Sequence, residues 1–204
     1  MLVCFDLGGV VVRICRDWRE GCEAAGVPPR PFTPDGRHVQ DRGRLIAALQ
    51  RGDMNDGEFH RRLSDLFAGL WSPEEIARVD AAWLGTPYPG VLELIRDLGL
   101  AGIETACLSN TSRDHWSVLE RLEEVDALDH RHASHLLGLI KPDDAIYARF
   151  ETLVGRPSEE IVFFDDLQDN IDAATRRGWH GVRVDHRGDT ALQMRTALVD
   201  AGIL

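Results

Sequence analysis

Basic charge is scarce in this chain: 23 lysines and arginines stand against 34 aspartates and glutamates, a formal net charge of -11. A surface of that sign repels nucleic-acid phosphates and anionic lipid headgroups, so neither is expected as a main partner, although a local cationic pocket for phosphate stays compatible with it. Long hydrophobic runs are also missing. No window approaches the ~18 apolar residues of a membrane span, and Met1 to Asp6 lacks the basic flank of a signal peptide, so a cytoplasmic location is the expectation. Cysteine is sparse and unpatterned. Cys4, Cys15, Cys22 and Cys107 form no C-x-x-C pair and no zinc-like spacing, which speaks for four reduced structural thiols. There is no internal repeat and no low-complexity tract.

What is present begins with Leu2-Val3-Cys4-Phe5-Asp6-Leu7-Gly8-Gly9-Val10-Val11-Val12, an apolar run that ends on one carboxylate, passes two glycines and turns apolar again. A buried strand that delivers an aspartate to the end of a sheet is costly unless that carboxylate has a partner, a metal or a chemical task. Asp6 reads as a nucleophile. From Ile103 onward short β-type runs alternate with helical ones: strands at 103–108, near 131–134, at 161–164 and at 181–184, and helices at 113–122, 143–154, 169–177 and 190–201. With the first strand this is a doubly wound α/β pattern, and 204 residues suit one core with a smaller inserted module.

The stretch from Arg16 to Gly85 has helical periodicity and no convincing strand. Helices are expected at 17–25, 36–51, 55–70 and 73–84. Phe59, Leu63, Leu66, Phe67 and Leu70 put an apolar stripe on one face of the third, and Ser72-Pro73-Glu74-Glu75 is a capping box that opens the fourth. The expected organisation is therefore a Rossmann-like parallel-sheet core from residues 1–14 and 86–204, with an all-helical cap from residues 15–85. Hinges are expected at 13–15 and 85–89.

Four separated features fall at expected carboxyl ends of strands, where open α/β sheets place ligands. They are Asp6; Ser109 with Asn110; Lys141 before Pro142; and Asp165-Asp166, followed by Asp169 and Asn170. A carboxylate attacks a phosphate dianion only where charge is neutralised, and a hydroxyl, an ammonium and a metal held by the acidic pair would supply this. Adjacent acids suit a hard cation with oxygen ligands, Mg²⁺ above all.

With those four motifs in this order, the chain resembles a haloacid dehalogenase (HAD) superfamily hydrolase of the phosphatase type over nearly its whole length. The resemblance implies Mg²⁺-dependent hydrolysis of a small phosphorylated metabolite through an aspartyl-phosphate intermediate, with the cap selecting the substrate. By position, Asp6 matches the nucleophile, Ser109 the phosphate-binding hydroxyl, Lys141 the lysine of the third motif, and Asp165 with Asp166 the metal-binding acids. Substrate contacts are expected from Leu7, Gly8, Ser109, Asn110 and Lys141, and metal contacts from Asp6, the Gly8 carbonyl, Asp165 and Asp166. A monomer or homodimer is the expected state.

One position departs from the pattern. Phosphatases of this superfamily carry a second aspartate two residues after the nucleophile, which protonates the leaving oxygen and then activates water; here that position is Gly8. General acid/base help is worth roughly 10²- to 10⁴-fold, so its loss implies slow turnover or good leaving groups such as anomeric or acyl phosphates. Two rivals follow: a 2-haloacid dehalogenase-like hydrolase, which also lacks that aspartate but needs no metal, and a non-catalytic phosphometabolite-binding protein. Elsewhere, His130, His132 and His135 match no metal spacing. Arg37, Arg42, Arg44, Arg61 and Arg62 are expected on a solvated helix face, and Trp18, Trp71 and Trp83 are expected to pack the cap rather than line its pocket.

Overall fold

A strand buried on both faces needs cover on both sides, and β1 (Leu2–Phe5) is buried at every residue. In the computed structural model, which describes residues 1–204, the chain turns after it at Gly8-Gly9 into β2 (Val12–Ile14). Four helices follow: α1 (Trp18–Ala24), α2 (Gly36–Arg51), α3 (Asp56–Leu66) and α4 (Pro73–Ala81). Then β3 (Leu84–Pro87) leads to α5 (Val91–Leu100), β4 (Glu104–Ser109), α6 (Arg113–Leu119), the short α7 (Glu123–Asp126) and β5 (His130–Ala133). The remainder is α8 (Ser134–Leu137), α9 (Asp144–Val154), β6 (Ile161–Asp165), α10 (Gln168–Arg176), β7 (His180–Arg183) and α11 (Thr190–Asp200).

The five strands of the main sheet lie in the order β5-β4-β1-β6-β7, all parallel. Period-two alternation divides their side chains between two cores. Val3 and Phe5 of β1 with Val162 and Phe164 of β6 pack under α5 and α11, whereas Leu2, Cys4, Ile161 and Phe163 pack under α9 and α10. This is the α/β doubly wound sheet expected from the sequence.

The helices α1 to α4 enclose a third, smaller core built around Phe59, Leu63, Phe67, Trp71, Ile76 and Val79. The capping box of α4 is present, with the Ser72 hydroxyl accepting from Glu75 N–H at 3.3 Å and the Glu75 carboxylate accepting from Ser72 N–H at 2.9 Å. Three expectations are revised. The stretch 13–15 and the stretch 85–89 are not bare hinges, because β2 and β3 pair antiparallel as a two-stranded ribbon at the root of the helical module. Helix α3 stops at Leu66 rather than Leu70, since Ala68 and Gly69 take positive φ of 52° and 73°. Helix α5 has no counterpart among the helices expected from the sequence; Val91, Leu94, Ile95 and Leu98 bury its apolar face against the sheet.

Candidate active site

β1 lies between β4 and β6, and the register pairs Phe5 with both Cys107 and Phe164. Asp6 and Asp165, one residue past the paired positions, and Ser109, two past, therefore emerge at the same edge of the sheet. Asp6 N–H donates to the Phe164 carbonyl at 2.8 Å, so the nucleophile candidate still belongs to the sheet.

Lys141 arrives from the loop after α8. Its Nζ lies 3.0 Å from Asp6 Oδ1 and 2.7 Å from Asp165 Oδ2, with the side chain 0% exposed. Asn110 fixes that loop by a reciprocal pair: its Nδ2 donates to the Lys141 carbonyl at 2.8 Å and its Oδ1 accepts from Lys141 N–H at 2.9 Å. Asp165 is held from the other side, since Asn170 Nδ2 reaches both its oxygens at 3.0 and 2.9 Å and Leu167 N–H donates at 2.8 Å. Asn170 thus positions Asp165, while Asp169 is exposed.

Asp6, Asp165 and Asp166 each offer a carboxylate oxygen within 4.8 Å of the others. Only two cations answer these three anions: Lys141, and Arg16, whose Nη1 meets Asp166 Oδ2 at 2.6 Å. One negative charge is left in excess in a buried site. An all-oxygen acidic cluster with surplus charge fits a hard divalent cation, for which Asp6, Asp165 and Asp166 are the candidate ligands. Gly9 keeps the floor open, because at its φ of 81° a Cβ would stand 2.6 Å from Asp166 Oδ2. Burial pushes the Asp6 carboxyl up to about 7; Lys141 opposes this, and Asp165 and Asp166 add to it. For Lys141, burial works against the ammonium, but Asp165 and Asp6 outweigh it and hold its pKa above the ordinary value.

Gly8 faces a different neighbour. A Cβ there would lie 3.2 Å from Ile14 Cδ1, so a side chain of β2 takes up the space beside this position. Gly8, Ser109 and Asn110 form one wall of a cavity of about 180 Å³ whose other walls come from the helical module. There Arg42, Ile46, Leu49 and Gln50 of α2, at i, i+4, i+7 and i+8, present one helix face.

A family model described as haloacid dehalogenase-like hydrolase matches residues 1–178. The chain belongs to that family. Among curated relatives, it is 26% identical over 128 residues to a phosphatase of Mycobacterium tuberculosis, covering 62% of this chain and 59% of that protein. It is 28% identical over 127 residues to an (S)-2-haloacid dehalogenase of Pseudomonas putida, covering 61% and 48%. The match spans about half the length of these curated relatives. In fold it is similar to a HAD-family enzyme from Bacteroides thetaiotaomicron, with a TM-score of 0.76 at 18% identity over 95% of this chain and 97% of that one. The same enzyme solved with magnesium and inorganic phosphate superposes with a TM-score of 0.72 at 18% identity, covering 92% and 96%.

Within this HAD fold, two expectations about the helical module need correcting. Trp18 and Trp83 pack the module but also line the cavity, and so does Arg42 of the supposedly solvated face. Arg37, Arg44, Arg61 and Arg62 are exposed as expected. Helical spacing alone does not separate Arg42 from its neighbours; adding Ile46, Leu49 and Gln50 to the same face does. Arg16 is not among the residues the sequence marks as functional, because its contact with Asp166, 150 residues away, leaves no local signal. His130 and His132 stack at 6.5 Å beside Phe150, and His135 Nδ1 sits 3.2 Å from the Thr111 carbonyl.

Proposed function

We propose that this HAD-family hydrolase is a phosphatase of a small phosphorylated metabolite, acting through an aspartyl phosphate on Asp6. The observation that carries the reading is the gathering of three carboxylates and one buried lysine where β1, β4 and β6 end. In this reading residues 15–85 serve as the cap over a core of residues 1–14 and 86–204. The magnesium and phosphate bound by the Bacteroides thetaiotaomicron enzyme and the name of the mycobacterial relative support it.

Mg²⁺ held by Asp6, Asp165, Asp166 and the Gly8 carbonyl would, when bound, offset charge on the phosphoryl oxygens. Ser109 and Lys141 hold the phosphoryl group, with Leu7, Gly8 and Asn110 shaping its seat. An Asp6 oxygen attacks phosphorus as the bond to the leaving oxygen breaks. Water then attacks the acyl phosphate, freeing the Asp6 carboxylate and inorganic phosphate, which takes the proton that the water gives up. Because Gly8 supplies no acid, leaving groups that depart unprotonated are favoured. Four thiols without disulfides fit the cytoplasmic location that the reading includes; burial pushes Cys107 up to about 12 and keeps it inert.

A second reading, carbon–halogen hydrolysis, draws on Gly8 and on the similarity to the Pseudomonas putida dehalogenase. The Asp165-Asp166 pair, which that chemistry has no use for, weighs against it. One assay separates the two. The chain is incubated with Mg²⁺ and sugar, nucleotide and acyl phosphates, and in parallel with chloro acids without metal. Phosphate release that disappears in Asp6→Asn is expected. No release above that control, or chloride release instead, overturns the phosphatase reading.

A further inference from the structure

Two hydrogen-bond donors in the wall of the cavity have no acceptor. Arg42 is half-buried, and no carboxylate lies within ion-pair distance of it. Seven other arginines of residues 15–85 are paired, Arg16 with Asp166 and Arg30 with Glu75 among them, and Arg61 and Arg78 are exposed. Burial holds the Arg42 guanidinium below its ordinary pKa, and Asp17 opposes this only through space. The second donor is Trp18 Nε1, buried and without a partner on the same cavity wall.

A buried indole N–H without an acceptor is costly, and a half-buried guanidinium without a counterion shares its cavity wall, so the pair points to a ligand that supplies the acceptor. The one carboxylate lining this cavity is already engaged: Asp80 meets His60 Nε2 at 3.0 Å and His115 Nε2 at 3.4 Å. Arg42 and Trp18 also line a second cavity of about 560 Å³, whose remaining arginines, Arg19 and Arg30, are occupied by Glu23 and Glu75. The unpaired Arg42 thus lines the same cavity as Gly8, Ser109 and Asn110, together with apolar side chains such as Ile14, Ile46 and Leu49.

We infer that the substrate carries a second anionic group, a carboxylate or a second phosphate, remote from the transferred phosphoryl group and received by Arg42 and Trp18 Nε1. This rests on the phosphatase reading and narrows it to a substrate class.

The test uses Asp6→Asn protein with Mg²⁺, in which nothing turns over, and measures binding by calorimetry for matched probes. Phosphoglycerate is compared with glycerol phosphate, and a hexose bisphosphate with the hexose monophosphate, so the two arms separate carboxylate from phosphate. A charged hydrogen-bonded contact predicts about 10- to 100-fold tighter binding of the doubly anionic member in at least one arm. Arg42→Met, which keeps the aliphatic stem, should erase that contrast, and Arg42→Lys should keep part of it. If Arg42→Met does not fold, Trp18→Phe removes the N–H donor while keeping an aromatic ring against Phe67 and Trp71, and should weaken the contrast several-fold. Equal affinity within both pairs, or a contrast that survives these substitutions, overturns the inference. Wild-type turnover is measured separately: no turnover with the contrast intact sinks the phosphatase reading alone, and turnover without contrast sinks the anion site alone.

Discussion

One cavity is lined both by Gly8, Ser109 and Asn110 of the sheet edge and by the helical module, and the two regions treat their polar groups in opposite ways. At the sheet edge Lys141, Asp165 and Asn170 are buried and bonded to one another. In the module, Trp18 Nε1 is buried with no partner and Arg42 has no counterion. A network whose members satisfy each other is rigid and ready for chemistry before any ligand arrives. A wall whose donors are unsatisfied gains most when the right ligand arrives, which is how differences in affinity become specificity. In the proposed reading, that difference assigns the reaction to the HAD core and the choice of substrate to the inserted helices.

The largest break in this comparison comes from the core. Replacing Lys141 by Met leaves Asp6 and Asp165 as buried carboxylates without their shared cation. Removing one partner of a buried pair costs about 3–5 kcal/mol, so Lys141→Met should lose stability on that scale in urea unfolding and release no measurable phosphate. Retention of both would mean that the Lys141 contacts are incidental.

Gly8→Asp tests whether the core lacks only its acid. The new Cβ would press on Ile14 Cδ1, so the single variant should gain little, while Gly8→Asp with Ile14→Val makes room. The double variant is expected to raise kcat on alkyl phosphates by about 10- to 100-fold, within the usual range for acid/base help, and to change acyl phosphates much less. Equal rises on both would point away from a missing proton donor.

Docking between the two regions depends on Ser134. Its hydroxyl donates to the Gln50 carbonyl of α2 at 2.6 Å and accepts from Thr111 N–H at 2.9 Å, beside the cavity. Ser134→Ala orphans a buried N–H, so a loss of about 1–3 kcal/mol is expected, together with faster amide exchange in α2. Unchanged exchange would show that other contacts, such as Asp80–His115 and Arg51–Asp143, hold the module without Ser134.

How much of this was legible beforehand follows from the range of the interactions. β1 and β6 are unbroken apolar runs that end on acids, and that pattern survives in the one-dimensional order of residues. Lys141 and Ser109 were readable because strand ends in a parallel sheet converge. The Arg16–Asp166 contact and the β2–β3 ribbon join residues 150 and about 70 positions apart, and each partner is unremarkable locally. α5 is a different case: it opens on Gly90 in a left-handed conformation with no side-chain cap, so the usual start signal is missing although its apolar periodicity is present. The role of Arg42 needed the other side of the cavity.

The smallest effect sharpens the contrast from the module's side. Arg30 binds Glu75 through two contacts, at 2.6 and 2.8 Å, and Glu75 also accepts from Ser72 N–H. The Arg30 guanidinium, then the Ser72 N–H, hold the Glu75 carboxyl at about 2, below its ordinary 4.5. A carboxyl lowered on folding contributes stability that is complete above its unfolded pKa and is lost as pH falls through the folded value. The module should therefore loosen between about pH 4.5 and 2, and exposure of the pair keeps the loss small. Three of the five tryptophans, Trp18, Trp71 and Trp83, report on the module and two, Trp116 and Trp179, on the sheet. Single-tryptophan variants followed during acid titration should show the module's signal moving first, and Glu75→Gln should flatten that early phase while leaving the sheet's signal in place. Simultaneous movement of both signals would mean that the two regions unfold as one unit, despite their separate cores.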